Sequence, residues 1–231
     1  MFYPWQIISR ITNLNLNTEL KLNSHINYEK LYVETLNVIE KLKFNPHPDD
    51  RYGGWGALGL YTYGGNENTL ETNKNYKIQE TPILKLMPYT KSLIDEIPAE
   101  KGRIRLMETK AKTKIYWHYD NAESIDEFLN TNNVRLHIPI ITNDLVDFII
   151  SHQKVSWKPG KLYYGDFSYP HTVINRSNKT RIHLVMDFKV NKNLANLFDK
   201  DYLNQQKKRV FVKKFCQRSL NLFNKIKFRK N

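Results

Sequence analysis

The chain has 231 residues, of which 40% are hydrophobic and 13% aromatic, so it can bury the core of one large domain. Its formal net charge is +13, which suggests an anionic partner. That charge is uneven, because residues 205–231 hold ten Lys or Arg and no acid, whereas the rest holds 26 basic and 23 acidic residues. The single cysteine, Cys216, excludes an intramolecular disulfide, and no Cys/His zinc spacing is present.

Membrane and secretory segments are not expected. No apolar run approaches the ~18 residues that a membrane span needs. The first residues are apolar only in short pieces, Arg10 interrupts them, and no small-residue cleavage site follows. The sequence therefore predicts a cytoplasmic protein without a membrane span.

Residues 1–100 are predicted to form a helical and mixed segment that packs on a core. Apolar residues recur at helical spacing over residues 28–43, and a second short helix is expected over residues 88–97. Between them, residues 55–63 read as a strand closed by a glycine turn. Residues 45–54 and 67–75 are expected to be loops because they are rich in polar, Pro or Gly residues.

Residues 101–190 change to short apolar or alternating segments separated by turn residues, which is typical of a β-sandwich or barrel. The predicted strands are residues 103–109, 114–120, 133–142, 145–151, 154–160, 161–167, 171–175 and 180–190. Residues 191–231 return to helical patterning and form a basic helical tail. Such a tail either packs one face on its own domain or lies on an anionic membrane or nucleic acid.

Two histidines and one aspartate in the β region are candidate metal ligands. His118 and Asp120 form a His-X-Asp pair on a predicted strand, where residues i and i+2 share one face. Alone, this pair is more often a surface or structural feature than a metal site. His171 follows a loop 53 positions later, and two imidazoles with one carboxylate are the ligand set of non-haem Fe(II) oxygenases.

Arginine also alternates with aliphatic residues on three predicted strands. Arg181 and His183 share a face on one strand, Arg135 and His137 on a second, and Arg103 and Arg105 on a third. Burying several guanidiniums is costly unless they meet anions. A dicarboxylate ligand held in bidentate fashion would satisfy them.

Three segments resemble one known family. They are WHYD, VRLHIPIITN and KPGKLYYGDFSYPHTVINRSNKTRIHLVMDF, within residues 83–190. Their His-X-Asp, Arg-X-His-Ile-Pro, Pro-Gly and His-X-X-X-Asn motifs, with an arginine ten residues after the last histidine, resemble the aspartyl/asparaginyl β-hydroxylases. These are Fe(II)- and 2-oxoglutarate-dependent oxygenases. The chain departs from the family in reading KAKTK where Pro-Gly often precedes the first metal strand.

The resemblance implies a mainly β fold with flanking helices around a double-stranded β-helix, the jelly-roll or cupin-like architecture. It implies that His118, Asp120 and His171 bind Fe(II) and form the catalytic site. It also implies that Arg181 holds the distal carboxylate of 2-oxoglutarate. The Arg135-X-His137 strand would contact the same co-substrate.

The predicted function is hydroxylation of an unactivated C–H bond in an amino acid or in an Asp/Asn-type side chain, with Fe(II), 2-oxoglutarate and O2. The substrate is a small molecule or a peptide, and the sequence leaves that choice and the oligomeric state open. The alternative is a non-catalytic cupin-like module that binds a carboxylate ligand or an anionic partner. A nucleic-acid-binding protein built around the tail is not favoured, because it leaves the Arg/His faces unexplained.

Overall fold

The computed structural model describes residues 2–22, 24–47, 54–69, 75–120, 124–125 and 133–228. Six α-helices and one short 3-10 helix flank two β-sheets in this part of the chain. The α-helices are α1 (Pro4–Ile11), α2 (Tyr28–Lys41), α3 (Pro88–Asp95), α4 (Lys192–Ala195), α5 (Lys200–Asn204) and α6 (Gln206–Phe228). The 3-10 helix spans Pro82–Leu86.

Twelve strands form the two sheets in the described residues. They are β1 (Asn17–Leu20), β2 (Asn45–Pro46), β3 (Trp55–Tyr63), β4 (Ile78–Glu80), β5 (Lys101–Thr109), β6 (Lys114–His118), β7 (Asn133–Ile141), β8 (Val146–Ile150), β9 (Gln153–Lys154), β10 (Leu162–Gly165), β11 (His171–Asn175) and β12 (Arg181–Lys189). The larger sheet has the order β1-β10-β7-β12-β5-β3-β2, with β4 on β3, and the smaller sheet has the order β6-β11-β8-β9.

The strand order of the eight strands β5–β12 is that of a double-stranded β-helix. β5, β7, β10 and β12 lie in the larger sheet, and β6, β8, β9 and β11 lie in the smaller one. Apart from the hairpin from β8 to β9, each step along the chain crosses between the sheets, as in a jelly roll. All strand pairs are antiparallel. The predicted fold class, mainly β with flanking helices, is confirmed.

The two faces of β12 differ as the alternation predicts. Ile182, Leu184 and Met186 are buried in the main apolar core, together with Leu106 of β5 and Leu136 of β7. Helices α2 and α3 supply the opposite side of this core. The arginines and histidines of the same strands therefore lie on the other face of the larger sheet.

Helix α2 shows why this layer forms where the sequence predicts it. The Asn27 side chain caps the helix by accepting a hydrogen bond from the backbone N–H of Lys30 (3.0 Å). Leu31, Thr35 and Val38, spaced by four and three residues, form its buried face.

A second core joins the two ends of the chain to the smaller sheet. Trp5 of α1 and Val212, Cys216 and Leu220 of α6 pack in one cluster with Phe148 of β8. The basic tail therefore packs on its own domain with one face. Its other face exposes Phe211, Phe215, Leu222 and Ile226.

Some expectations need correction. The predicted strand over residues 154–160 is wrong, because pairing ends at Lys154 and the next residues turn through Gly160, whose φ is +71°. Trp157 is buried by stacking on Tyr163, with ring centroids 5.2 Å apart. The apolar residues of this segment therefore reflect side-chain packing of a loop and not pairing of a strand.

Residues before 101 also contribute more sheet than expected. β1 pairs with β10, and β3 pairs with β5, so both extend the larger sheet. The division into residues 1–100, 101–190 and 191–231 stays a prediction. The predicted loops over residues 45–54 and 67–75 lie partly outside the described residues, and the first begins in β2.

None of the helices in the described ranges combines the length and apolar character of a membrane span.

Asn175 ties together the turns around β11. Its Nδ2 donates hydrogen bonds to the carbonyls of Thr109 (3.1 Å), Lys110 (3.1 Å) and Lys179 (2.8 Å). Its Oδ1 accepts from the backbone N–H (3.0 Å) and hydroxyl (2.7 Å) of Ser177. This buried amide orders the turn that leads into β12.

Replacing Asn175 by Ala should destabilise the protein by on the order of 3 kcal/mol, since it leaves several buried polar groups unsatisfied. The free energy of unfolding from urea titration measures the effect. Asn193→Ala, at an exposed position of α4, is the matched control. A loss no larger than that of the control would contradict this account of Asn175.

Candidate metal and co-substrate site

The structure brings His118, Asp120 and His171 together. His118, the last residue of β6, lies directly opposite His171, the first residue of β11, and their ring centroids are 4.2 Å apart. Asp120 follows two residues later, where its backbone N–H donates to the carbonyl of Phe167 (2.9 Å). One ligand atom from each of the three residues lies within 4.8 Å of the others, a spacing suited to one metal ion.

Backbone carbonyls orient both imidazoles. Nδ1 of His118 lies 2.7 Å from the carbonyl oxygen of Tyr116, and Nδ1 of His171 lies 3.0 Å from that of Tyr169. Because a carbonyl oxygen only accepts hydrogen bonds, each Nδ1 carries the proton and the lone pair lies on Nε2. This is how proteins commonly fix a ligating histidine, and the residues present therefore fit a divalent metal.

The three candidate ligands differ in their exposure. His171 is buried, whereas the side chains of His118 and Asp120 are each 24% exposed. Burial and the neighbouring His118 lower the pKa of His171 to about 3, so this imidazole is neutral at physiological pH. The cluster is thus anchored in the protein on one side and reached by solvent on the other.

Arg181 lies deep between the sheets and lacks a carboxylate partner in the described residues. It is 4% exposed, and its guanidinium lies over the Phe148 ring, 5.0 Å from the centroid. It donates to Nδ1 of His183 (2.9 Å) and weakly to Oγ1 of Thr109 (3.4 Å). Burial lowers the pKa of Arg181 to about 9, so it stays charged at neutral pH. A buried cation in this state calls for an anionic ligand.

His137 lies close to Arg181 and to the metal ligands. It is buried among aromatic rings, and the ring centroid of Phe167 lies 4.9 Å from His137 and 5.0 Å from His171. Burial first, and then the positive charges of Arg181 and Arg135, lower the pKa of His137 well below its usual value. Its Nε2 has no hydrogen-bond partner in the described part of the chain, so a polar group of a ligand would satisfy it.

Arg135 has a different environment from the one expected. Its Nε and NH2 donate to the two oxygens of Asp187 at 2.7 and 3.1 Å, and its NH1 donates to Oδ2 of Asp120 at 2.5 Å. Arg105 and Arg103 also approach Asp187, at 3.4 and 3.6 Å. Asp187 of this chain is therefore a counter-ion of three of these arginines, and the contact of Arg135 with the co-substrate stays a prediction.

Residues to which the sequence assigns no role hold the loops that carry the candidate ligands. Asp166 accepts hydrogen bonds from the backbone N–H (3.2 Å) and the hydroxyl of Ser168, which closes the loop before His171. The Tyr169 carbonyl accepts from His171, and the Tyr169 hydroxyl donates to the carbonyl of Arg209 in α6 (2.7 Å). No spacing in the sequence signals this contact, because 40 residues separate the partners.

Helix α6 reaches the site at two further points. Nε2 of Gln217 donates to the carbonyl of Ser168 (2.8 Å), and Nδ2 of Asn221 donates to the hydroxyl of Tyr119 (3.0 Å). These contacts fall on the residues just before His171 and Asp120. The C-terminal helix thus supports both loops that carry candidate ligands.

Two further histidines of the β region, His152 and His183, lie outside the cluster of candidate metal ligands. His152 is half-buried because α1 packs over it, and its Nδ1 lies 2.9 Å from the hydroxyl of Ser9. His183 accepts the hydrogen bond from Arg181 described above, so it orients the guanidinium from within the core. Burial and Arg181 hold the pKa of His183 well below its usual value.

Comparison with known proteins places the chain in a family. Residues 25–190 match the family described as aspartyl/asparaginyl beta-hydroxylase. The chain belongs to this family. The match spans β5–β12 and includes all three candidate metal ligands and Arg181. The enzyme class predicted from the motifs is confirmed: the protein is an Fe(II)- and 2-oxoglutarate-dependent hydroxylase.

Solved structures with similar folds have low sequence identity. A Trichoplax adhaerens prolyl hydroxylase in complex with a hypoxia inducible factor peptide fragment is 13% identical, with a TM-score of 0.48, covering 85% of this chain and 97% of that one. A Pseudomonas putida prolyl-4-hydroxylase is 9% identical, with a TM-score of 0.45 and coverage of 81% and 99%. A 2OG-Fe(II) oxygenase family oxidoreductase from Burkholderia pseudomallei is 13% identical, with a TM-score of 0.45 and coverage of 81% and 92%.

A search of curated proteins finds no match to this chain.

The buried neutral imidazoles predict a pH-dependent stability. His137, His171 and His183 have lowered pKa values in the folded state, so the unfolded chain binds more protons below its ordinary pKa of 6.5. Stability is therefore present above pH 6.5 and is lost as the pH falls. Each imidazole contributes up to roughly 1.4 kcal/mol per pH unit to this slope.

Urea unfolding of the metal-free protein between pH 7 and pH 5 measures that slope. His183→Gln should flatten it by about one proton, because Gln retains an acceptor for Arg181 but does not titrate. His25→Gln, at an exposed position, is the control and should keep the wild-type slope. If His183→Gln left the slope unchanged, His183 would not be a neutral imidazole in the folded state.

Proposed function

We propose that this protein hydroxylates an unactivated C–H bond of an amino acid, either free or as an Asp/Asn-type side chain. One C–H bond becomes C–OH, while 2-oxoglutarate and O2 give succinate and CO2. The observation that supports this most directly is the cluster of His118, Asp120 and His171 within 4.8 Å, with Arg181 buried and lacking an acidic partner in the described residues.

His118, Asp120 and His171 would hold Fe(II), which supplies the activation of O2 when it is bound. The chain's own part is to present the two Nε2 lone pairs and one carboxylate oxygen from one side. The hydrogen bonds from Nδ1 of both imidazoles to backbone carbonyls fix the rings in this orientation. Little reorganisation is then needed when the metal binds.

Arg181 would bind the distal carboxylate of 2-oxoglutarate. A guanidinium matches a carboxylate in bidentate geometry, and the low-polarity surroundings strengthen the pairing. The hydroxyl of Thr109 and the unsatisfied Nε2 of His137 lie within the same interior and offer further polar contacts. The aromatic rings of Phe148 and Phe167 limit access of water to this side.

The exposed side of the cluster is where the substrate would approach. Lys114, Tyr116 and His118 share one face of β6, with the Lys114 ammonium 5.4 Å from the centroid of the Tyr116 ring. Tyr116 is 49% exposed, so this aromatic surface is available to a substrate. A nearby ammonium favours a substrate that carries a carboxylate, as an amino acid or an aspartate side chain does.

The metal assignment predicts that His118→Ala or His171→Ala abolishes Fe(II) binding, because each removes one of the two nitrogen ligands of the candidate site. Anaerobic titration with Fe(II) and then 2-oxoglutarate should produce a weak visible charge-transfer band only when both are present. The Asp120→Ala/His171→Ala double variant should lose the band. His25→Ala, an exposed histidine, serves as the control. A folded wild-type protein without the band would favour the non-catalytic binding module.

The co-substrate assignment predicts a different phenotype for Arg181→Ala. This variant should bind Fe(II) like the wild type but bind 2-oxoglutarate at least about 10-fold more weakly, since a charge-assisted bidentate contact is lost. Affinity is read from the same band at saturating metal. Arg176→Ala, which removes an exposed arginine of the preceding turn, is the matched control. Unchanged 2-oxoglutarate affinity in Arg181→Ala would refute the assignment.

A further inference from the structure

Asp187 is the centre of a buried charge cluster between the two sheets. It is 3% exposed and lies on β12, the strand flanked by β5 and β7. Arg135 of β7 is its direct register partner, and Arg103 and Arg105 approach it from β5. Burial raises the pKa of the Asp187 carboxyl, but the positive charges of Arg135 and Arg105 together outweigh burial and hold this pKa below its usual range. A charged acceptor is therefore present at this position throughout the physiological range.

Arg135 connects this cluster to the candidate metal site. Two of its nitrogens are used by Asp187, and the third, NH1, lies 2.5 Å from Oδ2 of Asp120. The other carboxylate oxygen of Asp120, Oδ1, lies 3.9 Å from Nε2 of His118. One guanidinium thus joins two carboxylates, and it leaves one oxygen of Asp120 on the side of the histidine ligands.

We propose that Asp187, acting through Arg135, positions Asp120 as a one-oxygen metal ligand, so that both are positioning residues of this enzyme. The proposal rests on the function proposed above, because it presupposes a metal at His118, Asp120 and His171. It assigns Arg135 to the protein's own carboxylate instead of to the co-substrate.

The physical reason lies in the contrast between the two carboxylates. Asp120 follows the end of β6 and its side chain is 24% exposed, so without a partner it would sample several rotamers. Asp187 is fixed in the middle of the larger sheet. The planar guanidinium of Arg135 contacts both carboxylates at once and so holds Asp120 at a fixed position relative to Asp187. A single flexible ammonium would not do this. Partners of this kind commonly change metal affinity by 10- to 100-fold when they are removed.

Asp187→Asn and Arg135→Lys test the proposal in the full-length protein. Asn carries no negative charge, so it cannot form an ion pair with the guanidinium of Arg135. Lys keeps the positive charge of Arg135 but cannot bridge both carboxylates. Both variants should bind Co(II), used as an oxygen-stable probe, about 10- to 100-fold more weakly than the wild type. The visible spectrum of bound Co(II) should also change, because the carboxylate ligand is no longer held in one position. The affinity for 2-oxoglutarate at saturating metal should stay at the wild-type value.

Arg103→Lys is the matched control, since Arg103 approaches Asp187 from β5 (3.6 Å), whereas Arg135 is the residue that bridges Asp187 and Asp120. It should retain the wild-type Co(II) affinity and spectrum. A purely structural role of the charge cluster would instead make all three variants alike. Circular dichroism and thermal unfolding show which variants are folded, and if Asp187→Asn does not fold, Arg135→Lys decides.

Two results would overturn the proposal. One is an Arg135→Lys protein with unchanged Co(II) affinity and weakened 2-oxoglutarate binding, which would return Arg135 to the co-substrate. The other is a folded Asp187→Asn protein with wild-type Co(II) affinity and spectrum. Failure of the wild-type protein itself to bind Co(II) would refute the proposed function, and this inference with it, and is thereby distinct from the first two results.

Discussion

Placing charge between two β-sheets is the constraint on which the rest of this structure depends. An isolated guanidinium in a low-polarity interior is strongly disfavoured, yet Arg105 and Arg181 are each 4% exposed. For three of the arginines, Asp187 supplies the negative charge: it lies among Arg103, Arg105 and Arg135. Arg181 has no such counter-ion in the described residues, where its contacts are to the neutral side chains of Thr109, His183 and Phe148. This difference between the arginines is what supports the proposal that Arg181 binds an anionic ligand.

The same strands can carry this polar interior only because their opposite face is apolar. Ile182, Leu184 and Met186 of β12 pack with the neighbouring strands and with α2 and α3 in an apolar core. Burial of this aliphatic layer stabilises the fold and offsets the cost of burying charged groups on the opposite face of the sheet. Antiparallel register then fixes which arginine meets which acid, because Arg135 and Asp187 are direct partners across β7 and β12.

Much of this follows from the sequence, and the limits have physical causes. Alternation along each strand was enough to assign the two faces of the larger sheet, and the His118-X-Asp120 motif with His171 was enough to suggest the metal site. The role of Asp187 was not predictable, since it depends on the register between strands 52 positions apart in sequence. The strand expected at residues 154–160 failed because periodicity does not distinguish a buried loop from a paired strand. The polar segment Asn17–Leu20 gave no strand signal, because its pairing with β10 decides its structure.

The C-terminal helix is the part of the site that the sequence predicts least well, and it helps to hold the loops that carry two candidate ligands. Residues 191–231 lie outside the family match, yet α6 contacts the residues just before two candidate ligands through Arg209, Gln217 and Asn221. Tyr169 shows the connection most directly, because its carbonyl orients His171 while its hydroxyl binds the backbone of α6. In the proposed site, the positions of the candidate ligands therefore depend on two separate supports. One is the charge cluster behind Asp120, built from the larger sheet, and the other is a helix packed against the loop that carries His171.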